Sequence, residues 1–346
     1  MATQRHLTNP STLSPAVKLL DMITGSWISQ TTYCAAKLGL ADLLHESAKS
    51  ATELASLTGV HAQSLYRVLR LLASIGVFAE TETGQFELTP LAQCLQTDHP
   101  ESMRAYAIMM GEEWQWQPWG QLLHSVRTGT PAFDAVFGVD CFQYFAGNAE
   151  AAAIFDEAMT SFSVIEVHAV TAAYDFSPFT KIIDVGGGQG RLMASILMAH
   201  PQTHGILFDL PHVIAEARRH IEAVGIADRC ELLAGDFFAA VPAGGDAYVL
   251  KRVLHDWDDA RTLAILKNCH RAMLPQGRLV IIEMVIAPGN EPFFGKQLDI
   301  ELLLTTPGGR ERTEAEYRSL LSAAGFALTR ITPTESLVSV IEGVRV

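Results

Sequence analysis

Nothing in this 346-residue chain restricts its fold more than Ile182-Ile183-Asp184-Val185-Gly186-Gly187-Gly188-Gln189-Gly190-Arg191. A β-branched run closes on a carboxylate, glycines follow, and Leu192 to Ala199 has helical character. The pattern predicts a buried parallel strand, a tight turn and a helix start. Glycine reaches positive φ at little cost, and its missing side chain lets a ligand lie against the backbone. The N–H groups at the helix start then face whatever sits there. The spacing is Gly186-x-Gly188-x-Gly190, and Arg191 stands where the dinucleotide fingerprint places its last glycine. That turns the reading from NAD toward another adenosine cofactor. A glycine-rich turn without a ligand is the simpler alternative.

From Lys181 onward, strands and helices alternate. Strands are expected at Lys181–Val185, Gly205–Asp209, Cys230–Ala234, Ala247–Val253, Arg278–Val285, Ala327–Ile331 and Leu337–Val344. Helices are expected near Gly190–Ala199, His212–Val224, Asp259–Met273 and Thr313–Ala324. Such alternation gives an α/β fold with a mainly parallel sheet and helices on both faces. Only Thr332-Pro333-Thr334-Glu335-Ser336 separates the last two strands, too little for a crossover helix. They should form a hairpin with one antiparallel strand. In open sheets of this kind, ligands sit beyond the carboxyl ends of the strands.

The first hundred residues read differently. Leu13 to His45 is helical, with Leu19, Leu20, Ile23, Trp27 and Ile28 at helical spacing. Two helices follow, from Thr52 and over Ala62 to Ile75, then short strands Val77–Glu80 and Gln85–Leu88 around Thr83-Gly84. This is a winged helix-turn-helix shape. A DNA-reading helix needs a polar or basic outer face. The second helix offers Arg67 and Arg70 among Leu65, Val68, Leu69, Leu71 and Leu72, so packing is its expected role. Pro100 to Phe176 is mostly helical and aromatic. Met110, Trp114, Trp119, Phe133, Met159 and Phe162 are candidate walls for a flat apolar ligand, with core packing the plainer alternative.

Composition narrows the partners. A net charge of −13 argues against nucleic acid. Five scattered cysteines without a C-x-x-C point to a reducing compartment and no structural zinc. The polar start Met1-Ala2-Thr3-Gln4-Arg5-His6 and the lack of a bilayer-length apolar run predict a cytoplasmic protein with no membrane segment.

The strand ends carry the chemistry. Asp209, before Leu210-Pro211, can accept two ribose hydroxyls or cap the next helix. Asp236 can accept from an adenine amine, and Phe237 can stack on the ring or fill the core. Lys251-Arg252-Val253-Leu254-His255-Asp256-Trp257 puts two cations and a histidine at one strand end. Lys251 or Arg252 can meet a carboxylate or order the cofactor loop. An imidazole, titrating near about 6.5 when unperturbed, suits His255 to general-base work. Glu283, inside Ile281-Ile282-Glu283-Met284-Val285, is costly unless partnered. Glu311, in Gly308-Gly309-Arg310-Glu311-Arg312-Thr313, can favour a helix dipole or flank the same histidine as Glu283. No cluster of free carboxylates suggests a metal.

Together, Asp-Val-Gly-Gly-Gly-x-Gly, Phe-Asp-Leu-Pro, Gly-Asp-Phe-Phe, Leu-x-x-Val-Leu-His-Asp-Trp and Gly-Gly-Arg-Glu-Arg-Thr stand in order along the chain. This resembles the S-adenosylmethionine-dependent small-molecule O-methyltransferases: plant caffeate and flavonoid enzymes, acetylserotonin O-methyltransferase, and bacterial enzymes that tailor natural products. The resemblance implies a Rossmann-like class I methyltransferase sheet with an antiparallel last strand, plus a helical, winged-helix N-terminal dimerisation domain. It implies dimerisation over 1–100, a helical linker and pocket segment over 101–176, and cofactor binding over 177–346. By resemblance, Gly186 and Gly188 pass the methionine moiety, Asp209 holds the ribose, Asp236 and Phe237 the adenine, and Lys251 and Arg252 assist. His255 takes the acceptor proton between Glu283 and Glu311, and Asp256 neighbours the substrate. S-adenosylhomocysteine would be the product, an aromatic hydroxyl the acceptor, and a homodimer the assembly. Thr305-Thr306 stands where plant members often have a substrate-touching asparagine, which favours a bacterial tailoring enzyme of secondary metabolism or antibiotic biosynthesis. Three other readings remain at this stage. They are C- or N-methylation on the same scaffold, a winged-helix DNA-binding regulator, and an NAD oxidoreductase.

Overall fold

A computed structural model describes residues 14–346; Leu13 and the polar start at Met1 lie outside the described residues. The chain forms two compact units. One takes the described residues up to Trp116 together with Glu150–Ser161, and the other takes Gln117–Ala149 and Phe162–Val346.

The first unit opens with α1 (Pro15–Ile23), α2 (Gly25–Lys37) and α3 (Leu40–Leu43). Helix α1 buries none of its residues, and Leu19, Leu20, Met22 and Ile23 are each more than half exposed. Strand β1 (Lys49–Ser50) leads into α4 (Ala51–Thr58), where Ser50 and Glu53 form a reciprocal capping box and Gly59, at φ +71°, ends the helix. Helix α5 (Ala62–Ser74) and strands β2 (Phe78–Glu80) and β3 (Gln85–Leu88) complete the winged shape. Leu65, Leu69 and Leu72 are buried with Phe78 and Phe86, so one face of α5 packs into the core, while Arg67 and Arg70 are exposed on the other. The wing has a third strand that sequence did not show: β1 pairs antiparallel with β3. Helices α6 (Pro90–Gln93) and α7 (Arg104–Gly111) follow, and α8 (Glu113–Gly120) runs across the boundary between the units.

The second unit begins with α9 (Leu122–Thr128), α10 (Ala132–Phe137) and α11 (Cys141–Gly147) and takes the C-terminal part of α12 (Ala149–Ala173). Then come β4 (Lys181–Val185), α13 (Arg191–Ala199), β5 (His204–Asp209), α14 (Pro211–Ala223), β6 (Cys230–Ala234) and β7 (Ala247–Lys251). After them stand α15 (Asp259–Ala272), β8 (Arg278–Glu283), β9 (Val285–Ile286), α16 (Phe294–Thr305), β10 (Arg312–Thr313), α17 (Glu314–Ala323), β11 (Phe326–Pro333) and β12 (Ser339–Arg345). The seven-stranded sheet has the order β11-β12-β8-β7-β4-β5-β6. Strand β4 lies parallel between β5 and β7. Strand β12 runs antiparallel to β8 and to β11, so the terminal hairpin supplies one reversed strand. Apolar clusters cover both sheet faces.

Two features were not predicted. Helix α16 has apolar residues around much of its circumference and no clear periodic stripe. Strands β9 and β10 pair in parallel with Arg312 opposite Val285, which sets the ends of two distant segments side by side. All five cysteines are free; Cys141, Cys230 and Cys269 are buried, and desolvation pushes each of these thiols up to about 12. No helix among the described residues is long and apolar enough to cross a membrane.

The turn after β4 is tightly packed. A Cβ built on Gly187 would stand 2.3 Å from Leu207 Cδ1 and 2.7 Å from the Asp184 carboxylate. Gly187→Ala should therefore destabilise the protein by about 1–3 kcal/mol, read as a lower urea midpoint. An unchanged midpoint would show that the loop gives way freely.

Candidate active site

The glycine loop and the ends of β5, β6 and β7 make one continuous region. Gly186 and Gly188 adopt φ of +69° and +57°. A Cβ at Gly186 would press on Val253 and lie 3.6 Å from the Phe237 ring, whereas one at Gly188 would meet nothing within 4 Å. The loop thus packs its first glycine against the strand ends and turns bare backbone outward at the other. Asp209 braces it: Oδ2 accepts the Gly188 N–H at 2.9 Å, and Oδ1 accepts that of Leu210 at 2.7 Å. Desolvation outweighs these bonds and raises the Asp209 carboxyl.

Beyond β6, Asp236 is exposed and accepts the Phe238 N–H at 2.8 Å. Phe237 is half-buried in an edge-on cluster with Phe238 and Trp257. Asn268, from α15, donates to the carbonyls of Phe237 and Phe238 at 2.7 and 3.0 Å and fixes this turn. Asp184 closes the region from below. It is 2% exposed, and both carboxylate oxygens lack a hydrogen-bond partner. Desolvation pushes it up to about 7.

At the end of β7 the chain makes a short 3-10 turn, Leu254–Asp256, that presents His255. Glu283 Oε1 accepts the N–H groups of Val253, Leu254 and His255 at 3.2, 2.8 and 3.3 Å. Arg312, with no exposed surface, donates to the carbonyls of Leu254 and Trp257, to Asp259 and to Thr262. The loop Pro307-Gly308-Gly309 lies directly on this backbone. A Cβ at Gly309 would stand 2.6 Å from the His255 carbonyl oxygen, which already accepts the Arg310 N–H at 2.8 Å.

The His255 ring is buried, and its Nδ1 lies 2.9 Å from Glu311 Oε1. Glu283 Oε2 stands 3.9 Å from the same nitrogen, outside hydrogen-bond range. Of the two glutamates expected around this ring, Glu311 bonds it directly and Glu283 holds the backbone beneath it. Nε2 faces Asp256 Oδ1 at 3.5 Å. Desolvation raises all three carboxyls, Glu311 to about 7 and Asp256 to about 6. Donor atoms of His255, Glu283 and Glu311 lie within 4.8 Å of one another, a spacing that could surround a cation. Within this group Nδ1 is engaged with Glu311 Oε1 and Glu283 Oε1 with three amides, while Glu283 Oε2 and Glu311 Oε2 have no hydrogen-bond partner.

The remaining sequence candidates are dispersed. Lys251 Nζ lies 2.9 Å from Glu166 Oε2, and Arg252 stands between Glu166 and Glu311 at 3.7 Å from each. Phe162 stacks on Phe294, ring centroids 6.1 Å apart. Phe133 is enclosed, 1% exposed, against Phe137 and Tyr144; its large apolar ring closes a core. Trp119 donates to Glu301 Oε2 at 2.7 Å. Met110, Trp114 and Met159 belong to the first unit. Sequence reading passed over Glu166, Asn268, Arg312 and Asp299, which accepts the Glu311 N–H at 2.9 Å. Only Glu166 carried a signal, a lone acid in an apolar helical stretch.

Comparison with known proteins gives one answer. An O-methyltransferase domain family matches residues 119–327, and an O-methyltransferase dimerisation domain family matches residues 20–98. The chain is 50% identical to a phenazine O-methyltransferase, PhzM, of Lysobacter antibioticus, covering 94% of each chain. It is 39% identical to a mitomycin biosynthesis 6-O-methyltransferase of Streptomyces lavendulae, covering 96% of each. Among solved structures, LaPhzM superposes with TM-score 0.91 at 48% identity, over 96% of this chain and 100% of that one. The calicheamicin-biosynthesis methyltransferase CalO1, solved with S-adenosylhomocysteine bound, superposes with TM-score 0.86 at 36% identity, over 96% and 98%.

The raised Asp184 carboxyl has a thermodynamic consequence. The folded protein holds this proton more tightly than the unfolded chain, whose carboxyl titrates near about 4. The linked stability is complete below that pH and is lost as pH climbs toward 7. Asp184→Asn should gain on the wild type in urea unfolding at pH 8 relative to pH 5. An equal difference at both would mean that the carboxylate is solvated.

Proposed function

Since this chain belongs to the O-methyltransferase family and is an S-adenosylmethionine-dependent methyltransferase, we propose that it methylates a hydroxyl of a planar aromatic small molecule, with His255 as general base. The observation that carries this reading is the bond between His255 Nδ1 and buried Glu311. With Nδ1–H given to a carboxylate, Nε2 keeps its lone pair on the side of partly exposed Asp256. A phenol ionises near about 10, so a neutral-pH methylation gains from such a base.

The chain's residues fit the cofactor. Gly188 exposes backbone beside open space, Asp209 keeps acceptor capacity at the strand end, and the unpartnered oxygens of Asp184 suit a cationic or N–H donor. Gly186 and Gly188 would pass the methionine moiety, Asp209 would hold the ribose, and Asp236 and Phe237 the adenine. When bound, S-adenosylmethionine supplies a methyl group already activated on a sulfonium. The protein is left to orient the acceptor and to accept one proton at His255 Nε2. Glu311 steadies the imidazolium that results, while Glu283 and Arg312 keep the turn in place. Asp256, Phe162 and Phe294 would face the acceptor. Of the relatives that act on phenazines, the O-methyltransferase is 50% identical and the phenazine-1-carboxylate N-methyltransferase 33%, which favours a fused-ring hydroxyl in a bacterial tailoring step. The exposed apolar residues Leu20, Met22 and Ile23 at the end of α1, within the stretch matched by the dimerisation family, would be covered by a second copy.

The test is direct. Purified protein should bind S-adenosylmethionine and S-adenosylhomocysteine by calorimetry but not NAD, and should methylate hydroxyphenazines in preference to simple phenols. His255→Ala should keep cofactor affinity and lose at least about 100-fold in turnover; wild-type turnover across pH would refute the base. Methyl transfer confined to ring nitrogen or carbon would refute the acceptor assignment.

Trp27, on α2, is 66% exposed. The wild type should sediment as a dimer at micromolar concentration and Trp27→Asp should shift toward monomer. A monomeric wild type would overturn the assembly.

A further inference from the structure

Arg252 is the one non-glycine residue among the described residues with positive φ, +59°. L-residues adopt this conformation at an energetic cost, and it persists where the surroundings enforce it. Glycine would occupy the position more easily, so something the side chain does must favour arginine here.

The surroundings identify the task. Arg252 Nε lies 3.7 Å from Glu166 Oε1, and its Nη1 lies 3.7 Å from Glu311 Oε1, the oxygen that bonds His255. Glu166 comes from α12 and is 2% exposed; its other oxygen takes Lys251 Nζ at 2.9 Å. Arg252 therefore pairs by charge with two carboxylates of this chain, beyond hydrogen-bond reach, its Nη1 and Glu166 Oε1 having no hydrogen-bond partner. Desolvation pushes the Glu166 carboxyl up, but Lys251 and Arg252 outweigh it and hold it below its ordinary value. The sequence reading gave Lys251 and Arg252 to the cofactor; the geometry gives them first to Glu166.

We propose that Glu166 and Arg252 are positioning residues for the base: Glu166 anchors the guanidinium, and the guanidinium holds Glu311 in the place where it orients His255. The proposal rests on His255 as base for its meaning, but its geometry can be tested without turnover. The contacts of Arg252 are charge pairs at 3.7 Å, longer than hydrogen bonds, and charges this close in a poorly solvated interior interact strongly enough for a change at one member to be felt at the next. Lys251 has a smaller part, completing the anchor on Glu166.

The experiment uses full-length protein with nitrogen-labelled histidine, the His255 ring signals being assigned by their loss in His255→Asn. Glu166→Gln keeps the side-chain shape and removes the charge. Arg252→Gly removes the guanidinium and the backbone strain together, so it reports even if Glu166→Gln folds poorly. Each variant should displace the His255 Nδ1 resonance. The double variant should match Arg252→Gly alone, because Glu166 acts through Arg252. Affinity for S-adenosylhomocysteine, measured by calorimetry, should stay within about threefold in Glu166→Gln. Unchanged ring signals in Arg252→Gly would overturn the proposal, as would additive displacements in the double variant. A large loss of S-adenosylhomocysteine affinity with unmoved ring signals would return Lys251 and Arg252 to the cofactor. Failure of His255 as base appears separately, as turnover surviving in His255→Ala.

Discussion

A turn of three residues, Leu254–Asp256, is held on both sides by buried charge. Glu283 takes the amides of Leu254 and His255 and that of Val253 just before them, and Arg312 takes the carbonyls of Leu254 and, just after the turn, Trp257. So short a turn satisfies few of its own polar groups. Hydrogen bonds to ionised partners are the strong kind and suit a place where the backbone must not drift. The pairing of β9 with β10 makes this possible. It sets Arg312 opposite Val285, so that Glu283 and Glu311, just upstream on the two segments, converge. Gly309 completes the arrangement by having no side chain where its loop meets the His255 carbonyl.

The resulting electrostatics are unusual for an interior. Glu166, Asp184, Glu283 and Glu311 are buried close to the strand ends, with Lys251, Arg252 and Arg312 as their cationic company. Desolvation dominates three of these acids and lifts them above their ordinary values. Buried charges of this sort contribute little net stability; their presence is better explained by what they do to the imidazole among them. On the role proposed for His255, an imidazole beside fixed acidic groups would need little rearrangement on taking up a proton.

Much of this was legible in the sequence because it follows from local rules. The apolar runs ending near Asp184 and Asp209 became β4 and β5, the short link before Ser339 forced a hairpin, and the apolar spacing of α5 showed the face that it buries. The glycines at 186 and 188 announced a turn. What stayed hidden depended on contacts across long separations. Arg312 lies 58 residues from the carbonyl of Leu254 that it holds, and Glu166 lies 85 residues from Lys251. Neither distance leaves a trace in spacing. Strand β1 has two residues, too few for any period, and α16 lacks the amphipathic stripe that marks a surface helix. Phe133 looked like a pocket wall because aromatic residues serve cores and ligands equally well.

The cysteines give the fold a built-in reporter. Cys230 and Cys269 are packed into the apolar layers on opposite faces of the sheet, and Cys141 lies near Asp256. Their thiols are raised to about 12, so almost no thiolate exists in the closed protein at neutral pH. Alkylation must wait for the chain to open around each one. The rate at which a small electrophile labels the three sites therefore ranks the opening free energies of the two sheet faces and of the helical segment beside Asp256, separately and without a probe being introduced.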